Sequence, residues 1–163
     1  MKSKRKRRQL NRWRVAIHEA AHWVFAEWFC TTHVDVVTIK PSDDYAGQMR
    51  PTHPPSLYSK EQVRHRLLGI VAGRAAENAI TGTRRYVDGT DFHQAFDLGD
   101  AQEVLSAFTE AESLCRGIFW EPIMTAATEL WQHETIRREQ AGDLWQYIAP
   151  ADKTWYWVNR GAR

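Results

Sequence analysis

Residues His18-Glu19-Ala20-Ala21-His22 set two imidazoles four positions apart, with a carboxylate beside the first. On an α-helix, positions i and i+4 share a face one turn apart, so His18 and His22 can bind one Zn²⁺ at N–Zn distances of about 2.0–2.1 Å. Glu19 is offset by one position, where it can take a proton from a water activated at the ion without being a ligand itself. A shuffled chain with seven His among 163 residues would produce this pattern only about 0.02 times. The motif also lies in an apolar segment, where unpartnered polar groups are costly.

A catalytic zinc needs a third protein ligand and an open position for water. The extended form of the motif has Gly three and His six residues after the second His, but Phe25 and Trp28 stand there. The third ligand is therefore expected downstream, among Glu77, Asp88, Asp91, His93, Asp97, Asp100 and Glu103, and spacing alone does not choose. His33, His53, His65 and His133 have no partner pattern and read as surface or core polar residues.

The elements that must position these groups can be read from periodicity. From Trp13 to about Phe29, Val15, Ile17, Ala21, Val24, Phe25, Trp28 and Phe29 form a broad helical stripe without Gly or Pro. The β-branched run Val34 to Ile39 predicts a strand, closed by Pro41 and the polar residues after it. Tyr45 to Arg50 predicts a short second strand, with Gly47 marking a bulge or a close backbone approach. Ser59 and Gln62 make a capping-box pattern before a helix running to about Ile80 and ended by Gly82. Its small residues Gly69, Ala72, Gly73 and Ala76 suit close packing on another helix. A third helix is expected from Thr90 or Asp91 towards Cys115, weakened at Gly99. A fourth should open at Glu121-Pro122 with Pro in its first position, and Asp143 to Ala149 should form a short fifth.

Composition bounds the rest. A chain of 163 residues with 43% hydrophobic and 26% charged residues has room for one domain, and a mean hydropathy of −0.57 with no long apolar run predicts no membrane span. The formal charge of +2 is uneven: residues 1–14 hold eight Lys/Arg and no acid, leaving 14 basic against 20 acidic side chains elsewhere. Residues 1–11 are expected to be a disordered basic arm, 12–150 the domain, and 151–163 a C-terminal tail. Such an arm could hold nucleic acid weakly and without sequence preference. Cys30 and Cys115 lack metal-type spacing and no secretory segment is evident, so a cytoplasmic setting is expected. The eight Trp are expected to fill a small helical core.

Four motifs in order resemble the peptidase domain of FtsH, the ATP-dependent zinc metalloprotease. They are Val15-Ala16-Ile17 running into the His-Glu motif, Val37-Thr38-Ile39 followed by Pro41 and Gly47, Gly73-Arg74-Ala75-Ala76-Glu77, and Gly89-Thr90-Asp91-Phe92-His93-Gln94-Ala95. The match covers about residues 13–110, with a weaker echo from Pro122 to about Arg138. The resemblance implies His18, His22 and Asp91 as zinc ligands and Glu19 as general base. Asp97-Leu98-Gly99-Asp100-Ala101 also fits the family's Asp-x-x-x-Ala, so Asp97 is the alternative ligand; the turn Gly89-Thr90 favours Asp91. The family has Gly at position 21 and a small residue at 23, whereas this chain has Ala21 and Trp23, and Trp23 is expected to narrow a substrate groove.

The fold class so implied is mainly α: an FtsH-peptidase-like helical zincin domain with a small β-hairpin or meander. The implied activity is Zn²⁺-dependent endopeptidase action on flexible or unfolded polypeptides. In zinc peptidases of this kind an edge strand pairs with the substrate backbone, a role that falls on Val37 to Ile39. Arg74 and Glu77 are expected to anchor the site by ion pairs rather than to act on substrate. None of the six Lys follows a Gly, so no P-loop is present, and an unfoldase would have to be a separate ATPase. The competing expectation is a non-catalytic zinc-binding interaction module of the same fold.

Overall fold

The computed structural model describes residues 2–29, 34–41, 46–51, 59–82 and 89–148. Its order is α1 (Lys2–Trp28), β1 (Val34–Thr38), β2 (Gln48–Pro51), α2 (Lys60–Thr81), α3 (Thr90–Phe96), α4 (Ala101–Arg116), α5 (Trp120–His133), β3 (Thr135–Arg137), α6 (Arg138–Ala141) and α7 (Asp143–Ile148). The architecture is mainly helical with one small antiparallel sheet, and no helix among the described residues is long and apolar enough to cross a membrane.

Helix α1 is the central element. Ala16, Ile17, Ala20, Ala21, Trp23, Val24 and Phe25 are all fully buried, which places apolar side chains around most of its circumference. A helix buried on every side must be covered on every side, and α2, α5 and β1 all pack against it. Phe119 stands edge-on to Phe25, Trp28 and Phe29 and closes the core at the C-terminal end of α1. Trp23 is fully buried, Trp13 and Trp28 pack on the core from partly buried positions, and Trp13 meets Trp131 edge-on at 5.8 Å.

Several elements differ from the sequence reading. Helical backbone begins at Lys2 rather than near Arg12; Lys, Arg, Gln and Leu are strong helix formers, and neither Pro nor Gly interrupts the run. The expected third helix is two helices. Asp100 caps α4 by accepting from the Glu103 amide at 2.9 Å while Glu103 accepts from the Asp100 amide at 3.0 Å, so a capping box restarts the helix after Gly99. Pro122 lies in the first turn of α5, two residues after its start at Trp120. Residues 151–163, the expected tail, lie outside the described residues.

Helix α2 follows its sequence signals closely. Ser59 and Gln62 form the reciprocal capping box, and Gly82 ends the helix at φ 67°, the left-handed conformation glycine adopts without penalty. Arg64 pairs with Glu110 across to α4.

The sheet has the order β2-β1-β3. Its β1–β2 ladder is the expected hairpin, but the third strand is an addition. β3 follows α5 directly, because Glu134 turns the chain at φ 62° and its carbonyl accepts from the Ile39 amide at 2.8 Å. Val37 then pairs with Ile136 and Thr38 with Thr135. β1 is thus the central strand, hydrogen-bonded on both sides, and cannot be the edge strand expected at Val37 to Ile39. The edge beside the cleft is β2.

Candidate metal centre

A cleft of about 780 Å³ opens between α1, α2, the start of α3 and the β2 edge. His18, Glu19 and His22 line it from α1, Gly69, Arg74 and Glu77 from α2, Asp91 from α3, and Gly47, Gln48 and Met49 from the segment entering β2. The helical periodicity of α1 brings the two imidazoles to this face one turn apart, with ring centroids 4.7 Å from each other.

Each imidazole is oriented by a hydrogen bond through Nδ1. His22 Nδ1–H donates to the Gly69 carbonyl oxygen at 2.8 Å. A carbonyl only accepts, so this bond fixes the tautomer. His18 Nδ1–H donates to Glu77 Oε1 at 2.9 Å. Burial alone would raise the pKa of Glu77, but the bonds from His18 and Arg14, with Arg74 nearby, outweigh it and hold Glu77 down to about 2. Glu77 is therefore an ionised acceptor, tied also to Arg14 at 2.6 Å and Arg74 at 3.8 Å.

With both Nδ1 atoms protonated, both Nε2 atoms present lone pairs. His18 Nε2 lies 3.0 Å from His22 Nε2 and 3.0 Å from Asp91 Oδ2, and His22 Nε2 lies 3.4 Å from the same oxygen. A tetrahedral ion with bonds of about 2.0–2.1 Å holds its donors roughly 3.3–3.4 Å apart. Three lone-pair atoms this close repel one another unless a cation stands between them. In the metal-free chain a proton takes that place: burial works against a charged His18, but its hydrogen bonds with Asp91 and Glu77 prevail and push it up to about 10. Asp91 is correspondingly held far below the usual carboxylate range by both imidazoles, against its own burial. His18, His22 and Asp91 fit a divalent ion, and they form the one such group among the described residues.

Two glycines make room for the site. A β-carbon on Gly73 would stand 2.5 Å from His18 Nε2, so the imidazole rests directly on the α2 backbone. One on Gly47 would stand 2.8 Å from Glu19 Cγ and Val15 Cγ1. The close backbone approach expected at Gly47 is thus an approach to Glu19. That carboxylate is only 7% exposed, and burial raises its pKa although His22 and His18 oppose the shift.

The other expected candidates separate from the cluster. Asp97 is an exposed residue at the C-terminal end of α3, and Asp100 and Glu103 cap α4. His93 is exposed, and Asp88, His33 and His53 lie outside the described residues. Glu77 serves as the outer partner of His18. His65 is buried and stacks on Phe29, while exposed His133 faces Glu129. Trp23 does not narrow the groove. It points from α1 into the core at 0% exposure and is absent from the cleft lining. The sequence reading missed Arg14, the Gly69 carbonyl and Arg66, although 66, 69, 70, 73, 74 and 77 follow helical spacing along one face of α2.

Comparison with protein-family models finds no match for this chain, and comparison with curated proteins finds no significant relative.

Proposed function

We propose that this chain is a zinc-dependent endopeptidase of the FtsH peptidase type, acting on flexible or unfolded polypeptides. The observation that carries the reading is the convergence of His18 Nε2, His22 Nε2 and Asp91 Oδ2 within 3.0–3.4 Å of one another, next to a buried carboxylate on the same helix. His18, His22 and Asp91 would hold the ion and leave its fourth side open to the cleft. When bound, zinc would polarise the peptide carbonyl and acidify the attacking water. Glu19, buried and with a raised pKa, would accept the proton of that water and deliver it to the departing amine, a role in which a pKa lifted towards neutrality is an advantage. Glu77 would keep His18 in the tautomer that turns Nε2 to the ion.

The β2 edge supports a polypeptide substrate over a small molecule. Gly47, Gln48 and Met49 line the cleft, and β2 has a paired neighbour on one side only among the described residues. An extended chain laid along it would bond through main-chain groups and bind with little regard to sequence. Substrates would enter already unfolded, unaided or handed on by a separate ATPase.

Purified protein loaded with zinc should cleave casein, lose that activity to a chelator and regain it with added zinc. Glu19→Gln should keep about one zinc per chain while its kcat falls by about 10²–10⁴-fold. Undiminished cleavage by this variant would overturn the mechanism, and a zinc-loaded wild-type protein that cuts no peptide would favour a binding module.

A further inference from the structure

Three arginines line the cleft, and two of them share one counter-charge: Arg14 and Arg74 both face Glu77. Arg66 differs. It is half-buried in the cleft wall, yet it forms no hydrogen bond or ion pair with any described residue. Burial lowers its pKa, and no carboxylate among the described residues offsets that cost. A half-buried guanidinium that meets no acid among the described residues carries a cost, because desolvating a charge is unfavourable unless a partner compensates.

Its position on α2 relates it to the metal centre. Arg66 precedes Gly69, whose carbonyl holds His22, by three residues, and Gly73, on which His18 rests, by seven. At 1.5 Å rise per residue these offsets are about 4.5 and 10.5 Å along the helix, and a helical side chain leans further towards the N-terminus. Arg66 therefore lines the same cleft as His18, His22 and Asp91, towards the N-terminal end of α2 from them. An extended substrate advances about 3.3 Å per residue, which places the group it would meet within about three residues of the scissile bond.

We propose that Arg66 selects substrates carrying a carboxylate close to the scissile bond, binding it through charge-assisted hydrogen bonds; this deepens the peptidase reading and rests on it. The carboxylate is either an acidic side chain or the free C-terminus of the peptide. Specificity would then have two sources: the β2 edge takes any extended backbone, and Arg66 discriminates by charge. Arg14 and Arg74 are less suited to the task, since Glu77 already occupies them.

The test uses the full zinc-loaded chain and short fluorogenic Ala/Ser peptides with Glu or Gln at each position in turn, each made with a free and an amidated C-terminus. One position should show a Glu-over-Gln preference of about 10- to 100-fold in kcat/KM. If the C-terminal carboxylate is the ligand, amidation should instead cause a loss of that size. Arg66→Met should bring the ratio to about one, and Arg66→Lys should restore part of it. Cleavage without any carboxylate preference, or a preference that survives Arg66→Met, would overturn the assignment while leaving the peptidase reading intact. Failure of the peptidase reading looks different, as no peptide would be cut; the Kd ratio for the same Glu and Gln peptides then decides, and equal affinities overturn the role of Arg66.

Discussion

Glu77 Oε1 accepts the Nδ1–H of His18 at 2.9 Å while the other oxygen of the same carboxylate takes the Arg14 guanidinium at 2.6 Å. One buried acid thus joins two positions of α1 to α2 and sets the tautomer of His18. Outer carboxylates of this kind raise the basicity of a ligating imidazole. Glu77→Gln should therefore weaken zinc binding by about 10- to 100-fold, measured by competition with a chromogenic chelator, and Glu77→Ala should in addition lower thermal stability by leaving Arg14 and Arg74 without their shared counter-charge.

The two carboxylates that compete for the third ligand position make a direct comparison. Asp91→Asn should abolish tight zinc binding, since a neutral amide replaces the charged oxygen that faces both Nε2 atoms. Asp97→Asn should change zinc affinity by less than about twofold, as expected for a surface change away from the site. Isothermal titration with zinc reads both, and equal losses would argue for a different ligand set.

Glycines on α2 should respond with opposite signs. At Gly69 a β-carbon meets nothing within 4 Å, so Gly69→Ala should stabilise the fold by about 0.5–1 kcal/mol through helix propensity. At Gly73 the same change places carbon 2.5 Å from His18 Nε2. Gly73→Ala should push the imidazole off its position, lowering both zinc content and melting temperature. Paired thermal melts and metal analysis check the contrast.

Stability of the metal-free chain should be bounded by pH on both sides. His18 is held at about 10 against an ordinary 6.5, so its protonated form stabilises the fold fully below pH 6.5 and the benefit is lost as pH rises towards 10. Glu77 is held at about 2 against 4.5, so its contribution is present above pH 4.5 and is lost as pH falls towards 2. The apo melting temperature should peak between these limits. A zinc ion held by this cluster would replace the His18 proton, so its affinity should rise with pH, and the stabilisation it confers should widen above pH 6.5. Melts across pH with and without zinc measure the difference.

Much of the site was legible because local chemistry encodes it. The two His and Glu19 follow from helical spacing, the ends of α2 from Ser59, Gln62 and Gly82, and the close approach at Gly47 from the cost of glycine in a strand. The unexpected features depend on tertiary relations. Thr135-Ile136-Arg137 is too short to signal a strand, and it becomes one only because Glu134 turns the chain back beside β1. That third strand moved the free edge from β1 to β2. Trp23 was expected in the groove, but its direction from α1 depends on which neighbours cover the helix. Asp97 and Asp100 had the chemistry of ligands, and only the break after α3 shows one at a helix end and the other spent on a cap.

Helix α3 is only seven residues long and buries just Phe92 and Ala95. A helix of two turns has almost no stability of its own in water, so its place depends on what it touches. Two of the three candidate ligand atoms sit on the long, well-packed α1, and the third rides on this short piece. The bound ion would therefore act as a rivet holding a weakly anchored helix to a rigid one. Amide hydrogen exchange would register the arrangement as a local event: on removing zinc, the amides of α3 should exchange much faster while those of Ala20 to Phe25 keep their protection.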